Sequence, residues 1–172
     1  IFTNKETSSF LLKRFNYLFN KSETSQSYFQ PPLELHEIDY FEEITINDIK
    51  IITIKQNHGV IDTLGFIFND VFAYCTDVVG FPEKSFEYLR KMKVLIITGL
   101  RQSPHMAHAH FDLSFEWIAK LNPDVAYLTH LSPESDHDVV TKLCPPNTYP
   151  AYDGLVIDCL LYTSPSPRDF TE

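Results

Sequence analysis

Two five-residue runs, "VLIIT" at 94–98 and "VAYLT" at 125–129, are almost wholly apolar and show no alternation of apolar with polar positions. A strand with one wet face alternates, so continuous runs of this kind fit strands covered on both faces, as in a parallel sheet. Parallel neighbours need a long crossover, usually a helix. Residues 112–121 supply one, with Leu113, Trp117 and Leu121 lining its buried face. A second helical pattern covers 82–91, where Pro82 suits a first turn, and a third covers 134–143. "AYDGLVID" at 151–158 closes this alternating pattern.

The first half reads differently. Residues 7–19 have Leu11, Phe15, Leu18 and Phe19 at helical spacing, and the polar stretch "NKSETSQSYFQPP" that follows reads as a loop. Short β-branched and aromatic runs come next: "LELHEI", "KIITIKQ", "TLGFIF" and "VFAYCT". Asn69-Asp70 sits between the last two as a hairpin turn. Antiparallel strands followed by βαβα units predict an α/β sandwich built on sheets, one domain spanning 1–158. In residues 159–172, "CLLYTSPSPRDFTE", the Ser-Pro-Ser-Pro run suits neither a helix nor a central strand and reads as a disordered or foreign tail. The chain opens at Ile1, inside apparent structure, so further N-terminal sequence is expected.

Composition narrows the function classes. The 172 residues carry a net charge of −9, and only 14 are Lys or Arg, so a nucleic-acid backbone is a poor partner. No apolar run approaches the ~20 residues of a membrane span. Three scattered cysteines, Cys75, Cys144 and Cys159, make no disulfide framework and point to a reducing, cytoplasmic setting.

Chemistry-bearing residues recur at one kind of place. "IKQNHG" puts His58, "VFAYCTD" puts Asp77, and "VAYLTH" puts His130 at the end of a strand. Strand ends are where α/β folds gather their sites. Two neutral imidazoles and a carboxylate suit Zn²⁺ or a harder ion such as Mn²⁺. Asp77 can bridge two ions through its two oxygens, which no imidazole can. Each residue alone also has an ordinary reading: a surface histidine, or an aspartate that caps a turn.

The segments "YCTDVVGFPEKSFEYL", "VLIITGLRQSPH", "HFDLSFEWIAKL", "VAYLTHLSPESDHD" and "AYDGLVI" follow in one order. Together they resemble the metallo-β-lactamase superfamily, and within it the branch of PhnP-like cyclic phosphodiesterases. The resemblance runs from about residue 1 to 158 and includes "RFNYLFN" and "LELHEID". It implies an αββα sandwich, of which this chain is an N-terminally truncated part. It also implies a centre of two divalent ions, Zn or Mn, with His58, Asp77 and His130 among the ligands and Asp77 bridging. The implied reaction is attack on a small phosphodiester, cyclic or linear, by a hydroxide held between the ions. No membrane is implicated, and a homodimer is one assembly open to such a protein. A thioester, lactone or RNA-processing hydrolase, or a non-catalytic scaffold, are the rival readings.

The spacing H-x-H-x-D at His108, His110 and Asp112 superficially matches a two-metal motif, but Leu113 stands where the motif has a further histidine. In the family that motif precedes the residue matched by His58, whereas this one follows Asp77. The full H-x-H-x-D-H is absent from the 172 residues. The family places a substrate-reaching histidine directly before the helix, and His110 is the match, with a role as general acid or in holding the phosphate. Asp112 is then expected to cap the helix, and His105 and His108 to be ordinary loop residues. Thr98-Gly99 and Pro133 stand where relatives often carry an acidic residue and a histidine. With only three of the expected ligands, the chain alone should not turn over a phosphodiester; robust turnover by the purified 172 residues would overturn the placement of the missing motif upstream.

Overall fold

A computed structural model describes residues 1–20 and 31–158 in two compact units, Ile1–Glu42 and Glu43 onward. The centre of the loop expected after the first helix (21–30) and the expected tail (159–172) lie outside the described residues.

In the first unit, β1 (Phe2–Thr3) pairs in parallel with β2 (His36–Glu37). Helix α1 (Lys5–Phe15) begins two residues before the expected start at 7 because Asn4 caps it, its side chain accepting the Thr7 N–H at 2.9 Å. A 3-10 turn, Asn16–Leu18, follows.

The second unit is a seven-stranded mixed sheet in the order β3-β4-β5-β6-β7-β8-β9. Strands β3 (Glu43–Ile46), β4 (Ile49–Asn57), β5 (Asp62–Phe68) and β6 (Phe72–Cys75) form an antiparallel meander. Two tight turns join them, at Asn47-Asp48 and at Asn69-Asp70. All four residues have positive φ (47°, 66°, 49° and 55°), as hairpin turns that follow the strand twist require, and Asn and Asp tolerate it. The first of these turns carries the same Asn-Asp pair as the second. The Lys50 ammonium joins Glu43 (3.1 Å) and Asp70 (2.9 Å) across the meander.

From β6 the sheet becomes parallel, through β7 (Val94–Thr98), β8 (Val125–Thr129) and β9 (Thr148–Pro150). Helices α2 (Glu83–Leu89), α3 (Phe111–Leu121) and α4 (His137–Leu143) make the crossovers. The two apolar runs are the buried strands β7 and β8: Val94, Leu95, Ile97, Ala126 and Leu128 are all at most 1% exposed. Ser85 of α2 donates to the Lys55 carbonyl of β4, and Ser114 of α3 to the Thr98 carbonyl of β7, both at 2.7 Å. Phe81 meets Phe86 and Trp117 edge to face, which joins α2 to α3. Among the described residues no helix is long and apolar enough to cross a membrane.

Several boundaries differ from expectation. Pro82 is the residue before α2 rather than in its first turn, with extended backbone (φ −66°, ψ 154°). The last strand is Thr148–Pro150, just upstream of "AYDGLVID". His110, not Asp112, is the N-terminal cap position of α3 (φ −85°, ψ 171°). The helix starts there because Phe111 (4% exposed) is already packed in the core, so Asp112 lies inside the first turn, where its charge still complements the helix dipole. Leu113 is only half-buried; Trp117 and Leu121 are buried as expected.

The start of the β7–α3 connection is unusually tight. A Cβ added at Gly99 would lie 3.1–3.2 Å from three carbons of the Leu128 side chain. Gly99→Ala should therefore destabilise by about 1–3 kcal/mol through overpacking. Leu128→Ala, at a fully buried site, should cost about 2–5 kcal/mol through the cavity it leaves. The double variant should cost less than the sum, since each change relieves the other. Urea unfolding of the three proteins measures this, and strict additivity would disprove the contact.

Candidate metal centre

Strand direction assembles the site. β4 is antiparallel to β5, and β5 to β6, so β4 runs the same way as β6, and β6 through β8 are parallel. The C-terminal ends of β4, β6 and β8 therefore share one edge of the sheet. His58 follows β4, Asp77 follows β6 after one residue, and His130 follows β8. The three residues singled out from the sequence meet there. His58 Nε2 lies 4.0 Å and His130 Nε2 3.8 Å from Asp77 Oδ1.

A fourth side chain joins them. His108 Nδ1 is 3.8 Å from Asp77 Oδ1, and its Nε2 is 3.2 Å from His58 Nε2. Its ring stacks on His130 with centroids 4.6 Å apart, and the His105 ring centroid is 5.1 Å away. The expectation that His108 is an ordinary loop residue is thus corrected. What aims it is its neighbour Ala109, fully buried, whose N–H donates to the Val78 carbonyl (2.7 Å) and whose carbonyl accepts from Leu100 N–H (3.0 Å). No spacing rule within "HMAHAHFD" reveals this, because the deciding partner lies 31 residues earlier in the chain. His110 occupies the cap position of α3, and its carbonyl accepts from the Ser114 N–H and hydroxyl, both at 3.1 Å. Its imidazole is not among the side chains that meet Asp77. His108 and His110, two residues apart, are placed differently, and Asp112 is exposed on α3, so the three side chains of H-x-H-x-D do not converge here.

Two of these residues hold unusual backbone. Asp77 (φ 53°) and His130 (φ 60°) are left-handed, a conformation that costs non-glycine residues about 1 kcal/mol or more and persists only when neighbours enforce it. Around Asp77, Val79 N–H donates to the Asn57 carbonyl at 2.8 Å and Asn57 N–H to the Gly80 carbonyl at 2.8 Å. Around His130, Gly99 N–H donates to the Thr129 carbonyl (2.9 Å) and Ser132 N–H to the Leu100 carbonyl (2.8 Å).

The donor set fits a divalent cation. One donor atom from each of His58, Asp77 and His108 falls within 4.8 Å of the others. Two imidazole nitrogens bound to one tetrahedral Zn²⁺ at ~2.0–2.1 Å would stand ~3.3 Å apart, close to the 3.2 Å between His58 and His108. His108 Nδ1 is buried with no hydrogen-bond partner. Burial, followed by the neighbouring His130 and His58, lowers the His108 pKa, against the pull of Asp77. A neutral imidazole is the form that binds metal.

A profile of the Beta-lactamase superfamily domain matches residues 1–131, and the chain belongs to that superfamily. Among solved structures it is similar to a diphosphatase of the PhnP family, at 29% identity and a TM-score of 0.77, over 90% of this chain and 55% of that one. The metallo-β-lactamase fold protein YhfI from Bacillus subtilis matches at 13% identity and a TM-score of 0.67, over 92% of this chain and 64% of that one. Zn²⁺-bound PqqB from Methylobacterium extorquens matches at 13% identity and a TM-score of 0.60, over 73% of this chain and 56% of that one. The latter two show the fold. The metallo-β-lactamase fold and the PhnP-like resemblance expected from the sequence are thereby established. No curated protein matches the chain. The chain spans little more than half the length of the first of these structures and under two thirds of the other two.

Removing a donor should reduce metal uptake in proportion to its place. Asp77→Asn and His108→Ala should each lower the Zn²⁺ retained after mild chelation, and Asp77→Asn by more, since it removes the only negative charge in the set. His110→Ala should leave the metal content unchanged. Elemental analysis of the three variants checks this; full Zn²⁺ retention by His108→Ala would remove His108 from the centre.

Proposed function

We propose that this chain carries part of the active centre of a metal-dependent hydrolase that cleaves a small phosphorylated substrate, a phosphodiester or a related phosphoanhydride. The observation that carries the reading is the convergence of the His58, Asp77 and His108 donor atoms, with His130 beside them, at one edge of a metallo-β-lactamase-type sheet. The PhnP-family diphosphatase among the similar structures favours phosphorus over carbon as the centre attacked. Bound Zn²⁺ or Mn²⁺ ions, two in the full-length protein, would supply Lewis-acid polarisation of phosphoryl oxygens and water acidified toward a pKa of ~7.

The chain's residues then divide the remaining work. Asp77 contributes the charge that draws cations, and its two oxygens can serve two ions. His58, His108 and His130 contribute neutral nitrogen donors. A cleft of about 330 Å³, lined by Thr129, His130, Leu131, Ala151, Tyr152 and Asp153, opens beside the centre and suits a small substrate. The 540 Å³ cleft around Arg101, Phe111 and Val139 contains none of the four converging residues. His110, on the neighbouring cap of α3, is the proposed proton donor to the leaving oxygen.

In the full-length protein, His110→Ala should slow turnover by ~10²–10⁴ for an alkyl phosphodiester, whose alkoxide leaving group needs a proton. The loss should be much smaller for an aryl ester with an activated phenol, and the metal content should be unaltered. Equal loss on both substrates would make His110 a phosphate-holding residue instead. No turnover of any phosphoester by the metal-loaded protein would refute the hydrolase reading.

A further inference from the structure

Gln56, next to last in β4, is completely buried. A buried amide is costly unless its polar atoms are bonded, so its partners matter. Its Nε2 donates to the Thr76 carbonyl at 2.7 Å and to the Thr63 hydroxyl oxygen at 3.2 Å. Thr63, its register partner across β4 and β5, donates its hydroxyl hydrogen to the Asp77 carbonyl at 2.8 Å. The arrangement has one consistent assignment of hydrogens. A carbonyl only accepts, so the amide nitrogen must face Thr76. The Thr63 hydroxyl has a single hydrogen, given to Asp77, and so must accept from the amide.

The two carbonyls held this way belong to the peptide planes on either side of the Asp77 α-carbon. Fixing both planes fixes φ and ψ of Asp77, the residue held at φ 53° against its own preference. Gly65 completes the device. A Cβ there would lie 2.5 Å from Gln56 Oε1 and 2.9 Å from Ile54 Cγ1, so only glycine leaves room for the amide. Gln56 Oε1 itself has no hydrogen-bond partner, a cost accepted for the placement of Nε2.

We infer that Gln56 and Thr63 are positioning residues that clamp the backbone of Asp77 and so aim its carboxylate into the centre. The consequence for metal rests on the reading of Asp77 as a ligand; the clamp does not. Side chains that orient a ligand typically alter metal affinity 10–100-fold when removed.

Thr63→Val keeps the shape of the side chain and removes the hydroxyl, whereas Thr63→Ser keeps the hydroxyl. Two readouts apply to the chain: Zn²⁺ affinity by competition with a chromophoric chelator, and amide hydrogen exchange at Val79 and Ala109 without metal. Both bonds involve the Val78–Val79 peptide that directly follows Asp77: Val79 N–H donates to the Asn57 carbonyl, and Ala109 N–H donates to the Val78 carbonyl. Thr63→Val should weaken Zn²⁺ binding about 10–100-fold and speed exchange at both amides, and Thr63→Ser should restore both properties to near the parent values. Unchanged affinity and exchange in Thr63→Val would overturn the inference, as would a serine variant as impaired as the valine one, because methyl packing would then be the cause. If the parent chain binds no Zn²⁺, Asp77 loses its ligand role, and exchange alone decides the clamp. Should Thr63→Val not fold, Gln56→Met, of similar length and without the amide, puts the same question through the same two measurements.

Discussion

The backbone of Ala109 is tied at both ends, its N–H to Val78 and its carbonyl to Leu100. The first bond holds the long connection after β7 against the turn after β6, the second closes that connection on itself, and the place of His108 in the centre follows from the pair. Residues 99–110 would otherwise be a surface loop with many conformations, and loop ordering costs about 1–2 kcal/mol per residue in backbone entropy. With Ala109 fully buried and methyl-sized, the loop has a fixed point, and its neighbour His108 is presented to Asp77. A larger residue at 109 would push the loop away and take one of the four converging side chains with it.

The other three depend on strand direction. A histidine after β4, an aspartate after β6 and a histidine after β8 are separated by up to 72 residues, from 58 to 130, yet share one edge because the strands carrying them point the same way. That much was legible without a structure. Unbroken apolar runs marked β7 and β8 as doubly covered strands, and a metal-capable residue at the end of each of three strands marked the edge. The left-handed backbone of Asp77 and His130 was not legible, since neither residue type announces it. It is enforced by carbonyl and amide partners drawn from β5, the β4 end and the loop after β7.

The structure departs from expectation between near neighbours in the chain. His108 and His110 have the same chemistry two residues apart, and only the tertiary anchoring of Ala109 separates them. Asp112 has a better intrinsic preference for a cap than His110 has, but the burial of Phe111 starts the helix before it, a case of packing overriding local propensity. The place of Gln56 depends on tertiary packing in the same way. A glutamine in the strand "KIITIKQ" reads as a wet-face residue, and its burial depends on the space left by a glycine on the neighbouring strand.

That space ties the histories of two positions together. Residue 65 cannot acquire even a methyl group while residue 56 is glutamine, because the new carbon would fall 2.5 Å from the amide oxygen. Position 56 could accept a shorter residue first, at the expense of the Asp77 turn, and a side chain at 65 would then have only Ile54 Cγ1, 2.9 Å from the new carbon, left to displace. The order of permissible substitutions is therefore directional. In descendants of this sequence, glycine at 65 should outlive glutamine at 56, and a side chain at 65 should be found only where the amide has already gone.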